Sequence, residues 1–158
     1  MTATDAASAR PADTSSTTPS GTSTDLGADQ STGAGSDGAV GIAAVLERAR
    51  ARLARVDVPS AIEAQCSGAA LVDIRPQAQR DAHGEIPGAL VIDRNVLQWR
   101  LDPTSGAALP IADRDLPIVV VCQQGYSSSL AATELLDCGL RDVTDLIGGH
   151  DAWVAHHA

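Results

Sequence analysis

Residues 119–136 read VVVCQQGYSSSLAATELL, and the order of residue types within them decides the fold. A β-branched run ends in Cys122, a polar loop containing Gly125 follows, and serines 127–129 lead into apolar residues at helical spacing. Strand, loop and helix in that order carry a thiol to the C-terminal tip of a strand and wrap the loop around it. The run PIVVVC at 117–122 is the most apolar of the chain and reads as a central parallel strand, buried on both faces. In open α/β sheets ligands bind beyond the carboxyl ends of the strands, which is where Cys122 lies by sequence.

Working outward, GIAAVLERARARLARV (41–56) has Ile42, Val45, Leu46, Ala49, Leu53 and Val56 near a 3.6 period, with Arg on the other face. It predicts an amphipathic helix. PSAIEAQCSG (59–68) predicts a short helix, ALVDI (70–74) a buried strand, and AQRDAHGEIPG (78–88) a polar connection into a strand at 89–92. A short helix is expected around 96–100, a helix over SSLAATELLDCG with serines 127–129 as its cap, one hydroxyl of which could also hydrogen-bond to the Cys122 thiolate, a last strand at DVTDL (142–146), and a closing helix that packs Trp153 into the core. His156 and His157 are expected to fray. Strands alternating with helices give an α/β sandwich around a mainly parallel sheet.

The chain has 158 residues, about one domain. Residues 1–38 hold only Met1 and Leu26 as large apolar side chains, too few to offset the entropy of ordering. A disordered Ser/Thr/Gly/Ala/Asp-rich tail is expected over 1–40 and a folded domain over 41–158. The formal charge of −9, without a basic stripe, argues against nucleic acid. No window suggests a membrane span or a secretory signal, so a cytoplasmic protein is expected. Three cysteines without CxxC or CxxH spacing predict neither a disulfide framework nor a metal site, and no cofactor is expected. All eleven cations are Arg, which excludes lysine chemistry.

A thiol is a nucleophile only as thiolate, with an ordinary pKa of about 8.5. The positive end of the following helix, and amides of residues 123–128 converging on the sulfur around Gly125, would favour the thiolate of Cys122. Cys66 and Cys138, at helix ends among apolar neighbours, read as inert. No histidine is placed by sequence to pair with Cys122, as a cysteine protease needs. A phosphatase would need Arg six positions after the cysteine, where Ser128 stands.

LVDIR (71–75) with GEIPGAL (84–90), CQQGYSSSLAA (122–132) and DLIGGHDAW (145–153) together resemble the rhodanese-like family, its single-domain sulfurtransferase type, over about residues 58–154. The resemblance implies a three-layer α/β/α sandwich around a mainly parallel sheet of about five strands. It also implies that Cys122 carries a sulfane sulfur as a persulfide, from thiosulfate or another donor to cyanide or a thiol. The partners would then be a small-molecule donor and acceptor. Gln123, Gln124, Gly125, Tyr126, Ser127 and Ser128 would form the substrate cradle, with Arg75 and Arg94 as candidate cations. Arg75 could equally hold the loops by pairing with Asp73, and Arg94 and Arg100 could lie on the surface.

Two positions depart from the family's common pattern: Ser127 stands where many relatives have Arg, and Glu85 where GHIPGA has His. Loss of the loop Arg removes a cation that would attract thiosulfate. The alternative is therefore a regulatory module that senses sulfide or persulfide in the same pocket without turnover.

Overall fold

The computed structural model describes residues 40–158, so the tail expected over 1–40 lies, but for Val40, outside the described residues. The elements in chain order are α1 (Ile42–Arg50), α2 (Val58–Cys66), β1 (Ala70–Asp73), α3 (Gln77–His83) and β2 (Leu90–Val91). A 3-10 turn (Arg94–Val96) then leads into α4 (Leu97–Leu101), followed by β3 (Ile118–Val121), α5 (Ser127–Asp137), β4 (Val143–Asp145) and α6 (Gly149–His157).

The sheet has the order β2-β1-β3-β4 and every pairing is parallel. Ala70 is in register with Ile118, and Ile118 with Val143. Because successive strand side chains point to opposite faces, β1 and β3 feed two cores. Val72, Ile118 and Val120 meet Leu97 and Leu101 of α4 and Ala131, Ala132 and Leu135 of α5. Leu71, Val119 and Val121 meet Val58 and Ala61 of α2 and Trp153 of α6 on the other side. The result is a three-layer α/β/α sandwich in which all of β3 is buried. Helix α1 packs against α5.

Among the described residues the sheet has four strands where about five were expected. The fifth place is held by a single bridge, with Val56 N–H donating to the Asp145 carbonyl at 3.2 Å and Ile147 N–H to the Val56 carbonyl at 2.9 Å. Pairing goes no further because the Asp57 carboxylate accepts from Ser60 N–H at 3.0 Å to cap α2, and Pro59 opens that helix. The same bridge shortens α1, which was expected to reach residue 56 and stops at Arg50.

Helix α3 occupies part of what reads as a polar connection. It buries no residue and has no side-chain cap, so it leaves no apolar stripe in the sequence. Its own side chains support it: Gln77 Nε2 donates to Asp81 Oδ1 at 2.7 Å, one turn on. At the other end of the domain α6 does not fray at His156. It runs through His157, whose ring stands 4.9 Å from that of Trp153. Among the described residues no helix is long and apolar enough to cross a membrane.

Candidate active site

Strand β3 delivers Cys122 to the carboxyl edge of the sheet, where it is 6 % exposed. The loop after it turns at Gly125, whose φ of +74° is left-handed. A Cβ at Gly125 would also stand 2.8 Å from the Gly148 nitrogen and 3.0 Å from the Leu146 carbonyl oxygen, so glycine is required twice. The first turn of α6 holds the loop from behind: His150 N–H donates to the Cys122 carbonyl at 2.8 Å and Asp151 N–H to the Gln123 carbonyl at 3.0 Å. With these carbonyls tied away from the sulfur, the amides turn toward it. Gly125 N–H and Ser128 N–H donate to Cys122 Sγ at 3.2 and 3.3 Å, and the thiol lies 3.2 Å from Ser128 Oγ as its donor.

Burial alone would push the Cys122 thiol up, but the Ser127 and Ser128 hydroxyls and the amides of Ser128 and Gln124 outweigh it. The thiol lies below its ordinary value. The first turn of α5 adds its dipole, since Ser128 N–H is aimed at the sulfur. Cys138 goes the other way: burial and then the carboxylates of Asp102, Asp137 and Glu134 raise it. Cys66 is exposed at the end of α2, not packed among apolar neighbours as expected.

The sulfur opens onto a cavity of about 200 Å³ lined by Ile74, Arg75, Pro76, Gln79, Cys122, Gln123, Gln124, Tyr126 and Ser127. Arg75 therefore reaches the site, but its guanidinium is occupied. Nε and Nη2 grip the Asp73 carboxylate at 2.7–3.1 Å, Nη2 also donates to the Gly84 carbonyl at 2.9 Å, and Nη1 lies 3.4 Å from Gln123 Oε1. Both members of the pair are buried, which is the loop-holding arrangement.

Arg94 is not brought to the cavity. It pairs with Glu134 Oε1 on α5 at 2.7 Å, because the turn after β2 leads its side chain across the helix. Arg100 donates to the Ala107 carbonyl at 3.0 Å. The serines do not cap α5 as expected. Tyr126 occupies the cap position with no side-chain hydrogen bond, and the Ser128 and Ser129 hydroxyls point inward to Asp145 Oδ2 at 3.0 and 2.8 Å. Asp145 on β4, Arg50 at the end of α1 and Arg55 after it escaped the sequence reading. Arg50 Nη2 and Arg55 Nη2 donate to the Gly125 carbonyl at 2.7 and 3.2 Å, and Arg50 lies 5.3 Å from the Tyr126 ring centre. In the sequence both arginines belong to the polar face of a helix, and only the bridge at Val56 sets Arg55 beside β4.

The rhodanese-like domain family matches residues 57–156. The chain belongs to that family. The thiosulfate sulfurtransferase GlpE of Haemophilus influenzae is 38 % identical over 87 residues, covering 54 % of this chain and 73 % of the relative. GlpE of Coxiella burnetii is 44 % identical over 46 residues, and there the rhodanese-like chain spans 43 % of the relative's length and 29 % of its own. A solved structure from Rhodopseudomonas palustris, described as a protein of unknown function and possible tyrosine phosphatase, is 34 % identical. Its TM-score is 0.69, covering 75 % of this chain and 92 % of its own. A human single-domain sulfurtransferase shares the fold at 23 % identity and a TM-score of 0.57, covering 66 % of this chain and 97 % of its own. In the present chain the sixth residue after the cysteine is the fully buried Ser128, which offers no guanidinium to a phosphate.

Proposed function

We propose that this chain is a rhodanese-type sulfurtransferase in which Cys122 carries a sulfane sulfur as a persulfide. The carrying observation is the convergence of Gly125 N–H, Ser128 N–H and Ser128 Oγ on one sulfur at 3.2–3.3 Å, at the floor of an open cavity. The Cys122 thiolate attacks the outer sulfur of thiosulfate, the S–S bond to the sulfonate breaks, and sulfite leaves with the bonding pair. The anionic persulfide is held by the same amides. A thiophile such as cyanide or a thiolate then attacks the outer sulfur, and the Cys122 thiolate is released for the next cycle. Gln123, Gln124, Gly125, Tyr126, Ser127 and Ser128 form the substrate cradle in this reading, with Arg75 as the scaffold that holds Gln123. The names of the GlpE relatives and the residues shared with the family support it. Because a sulfur carrier needs a reduced thiol, a cytoplasmic setting fits the three free cysteines.

Intact mass of protein incubated with thiosulfate tests the proposal. A gain of about 32 Da, one sulfur atom, that is lost on adding cyanide and absent from Cys122→Ala is the expected result. A second reading, a sensing module without turnover, is favoured by one observation: Arg75 is the cation in the cavity wall, and it is bound to Asp73. That reading requires no gain from thiosulfate while Cys122 still reacts with an alkylating agent at neutral pH.

A further inference from the structure

Ser128 Oγ carries one proton and faces two acceptors. Cys122 Sγ lies 3.2 Å away and Asp145 Oδ2 3.0 Å away, and Ser128 and Asp145 are both fully buried. With Cys122 as thiol, its S–H donates to Ser128 Oγ, whose own O–H donates to Asp145. With Cys122 as thiolate the sulfur has nothing to donate, and the hydroxyl can turn to it. Asp145 tolerates the loss, since Oδ2 keeps Ser129 Oγ at 2.8 Å and Arg55 Nη2 at 3.1 Å, and Oδ1 keeps Arg55 Nε at 2.8 Å.

We propose that Ser128 is a two-position hydroxyl shared between Cys122 and Asp145, and that the Asp145–Arg55 ion pair is the positioning element that sets which of them receives its proton. The proton lost from Cys122 leaves through the open cavity to solvent; the relay moves only the direction of a hydroxyl. Asp145 draws the hydroxyl away and places a negative charge one hydroxyl from the sulfur. Arg55 offsets both effects, with its side chain 17 % exposed and its guanidinium against the carboxylate. Arg55 lies two residues before the family match at 57–156.

The two halves of one ion pair should then act in opposite directions on Cys122, which a purely structural role would not produce. The remaining charged and titratable groups around the loop stay the same in every variant. They are the Asp73–Arg75 pair from β1, Arg50 on the Gly125 carbonyl, Tyr126 in the cavity wall, and His150 and Asp151 at the start of α6.

The test is the pH profile of iodoacetamide alkylation of Cys122, followed by peptide mass so that Cys66 and Cys138 are scored separately. Asp145→Asn should shift the profile to lower pH and react several-fold faster than wild type near pH 6. Arg55→Met should shift it to higher pH and react several-fold slower, as should Ser128→Ala. Asp145→Ser and Arg55→Gln repeat the two charge removals should a first variant not fold. Shifts in the same direction for the two charge removals, no shift in either, or an unchanged profile in Ser128→Ala overturns the proposal. The inference shares with the proposed function only the premise that Cys122 is the reactive thiol, and alkylation needs no sulfur donor. Opposite shifts with no persulfide gain in wild type would therefore sink the sulfurtransferase reading and leave this one standing.

Discussion

Gly149 is packed against the backbone of Cys122. A Cβ added to it would overlap the Cys122 carbonyl oxygen and stand 2.7 Å from the Gly125 nitrogen, at a φ of +61°. The turn into α6 thus touches the nucleophile's own peptide, and the loop geometry depends on a residue with no side chain.

Gly149→Ala should cost on the order of 2 kcal/mol, from clash and left-handed strain together. Gly68→Ala is the control: its φ is +100° but nothing lies within 4 Å of the added carbon, so only the strain remains, about 1 kcal/mol. Chemical denaturation of both variants checks this, and equal losses would mean that the contact with Cys122 carries no cost.

Sulfur loading should depend on one cysteine. Cys122→Ala is expected to accept no sulfur from thiosulfate, while Cys66→Ala and Cys138→Ala load as wild type does. Loading at Cys66, the exposed thiol, would move the site to the end of α2.

The thiol of Cys122 is depressed chiefly by hydroxyl and amide donors acting against burial. A depressed acid contributes stability that is present above its unfolded value, about 8.5, and is lost as pH falls through the folded one. The stability of wild type minus that of Cys122→Ala should therefore rise with pH below about 8.5. Urea midpoints of the pair measure it, and a flat or falling difference would contradict the donor cradle.

His150 gives the same sign of pH dependence in a lower window. Burial and then the charge of Arg75 hold its imidazole below its ordinary value, about 6.5, so the unfolded chain binds the proton first as pH drops. Wild type should lose stability as pH falls below about 6.5, and His150→Gln should lose less over the same window. Melting temperature against pH for the two proteins decides it.

Breaking the Arg75–Asp73 pair by Arg75→Met should cost about 3 kcal/mol, because a buried carboxylate is left without its cation. If thiosulfate loading collapses in this variant while its stability is retained, Arg75 contacts the substrate and does not merely hold the loop.

The central sheet and the nucleophile were legible because both are written locally. PIVVVC is apolar throughout since β3 is covered on both faces, and Gly125 marks the turn that wraps the loop around the thiol. What escaped lacks a local signature. Helix α3 buries nothing and so shows no period. Asp145 and Arg55 stand 90 residues apart and meet only through the register at Val56 and Leu146. Serines 127–129 stand where caps are expected, and of the two roles open to them only the contact of a hydroxyl with the sulfur is found. Their inward direction follows from a carboxylate on another strand.

The two arginines that lean on the Gly125 carbonyl come from residues 50 and 55, upstream of the span shared with the family. The bounds of the family match and the perimeter of the working site are therefore not the same line. Transplanting residues 57–156 into another protein would carry over the sheet, the loop and the cysteine, and leave the loop's buttress behind.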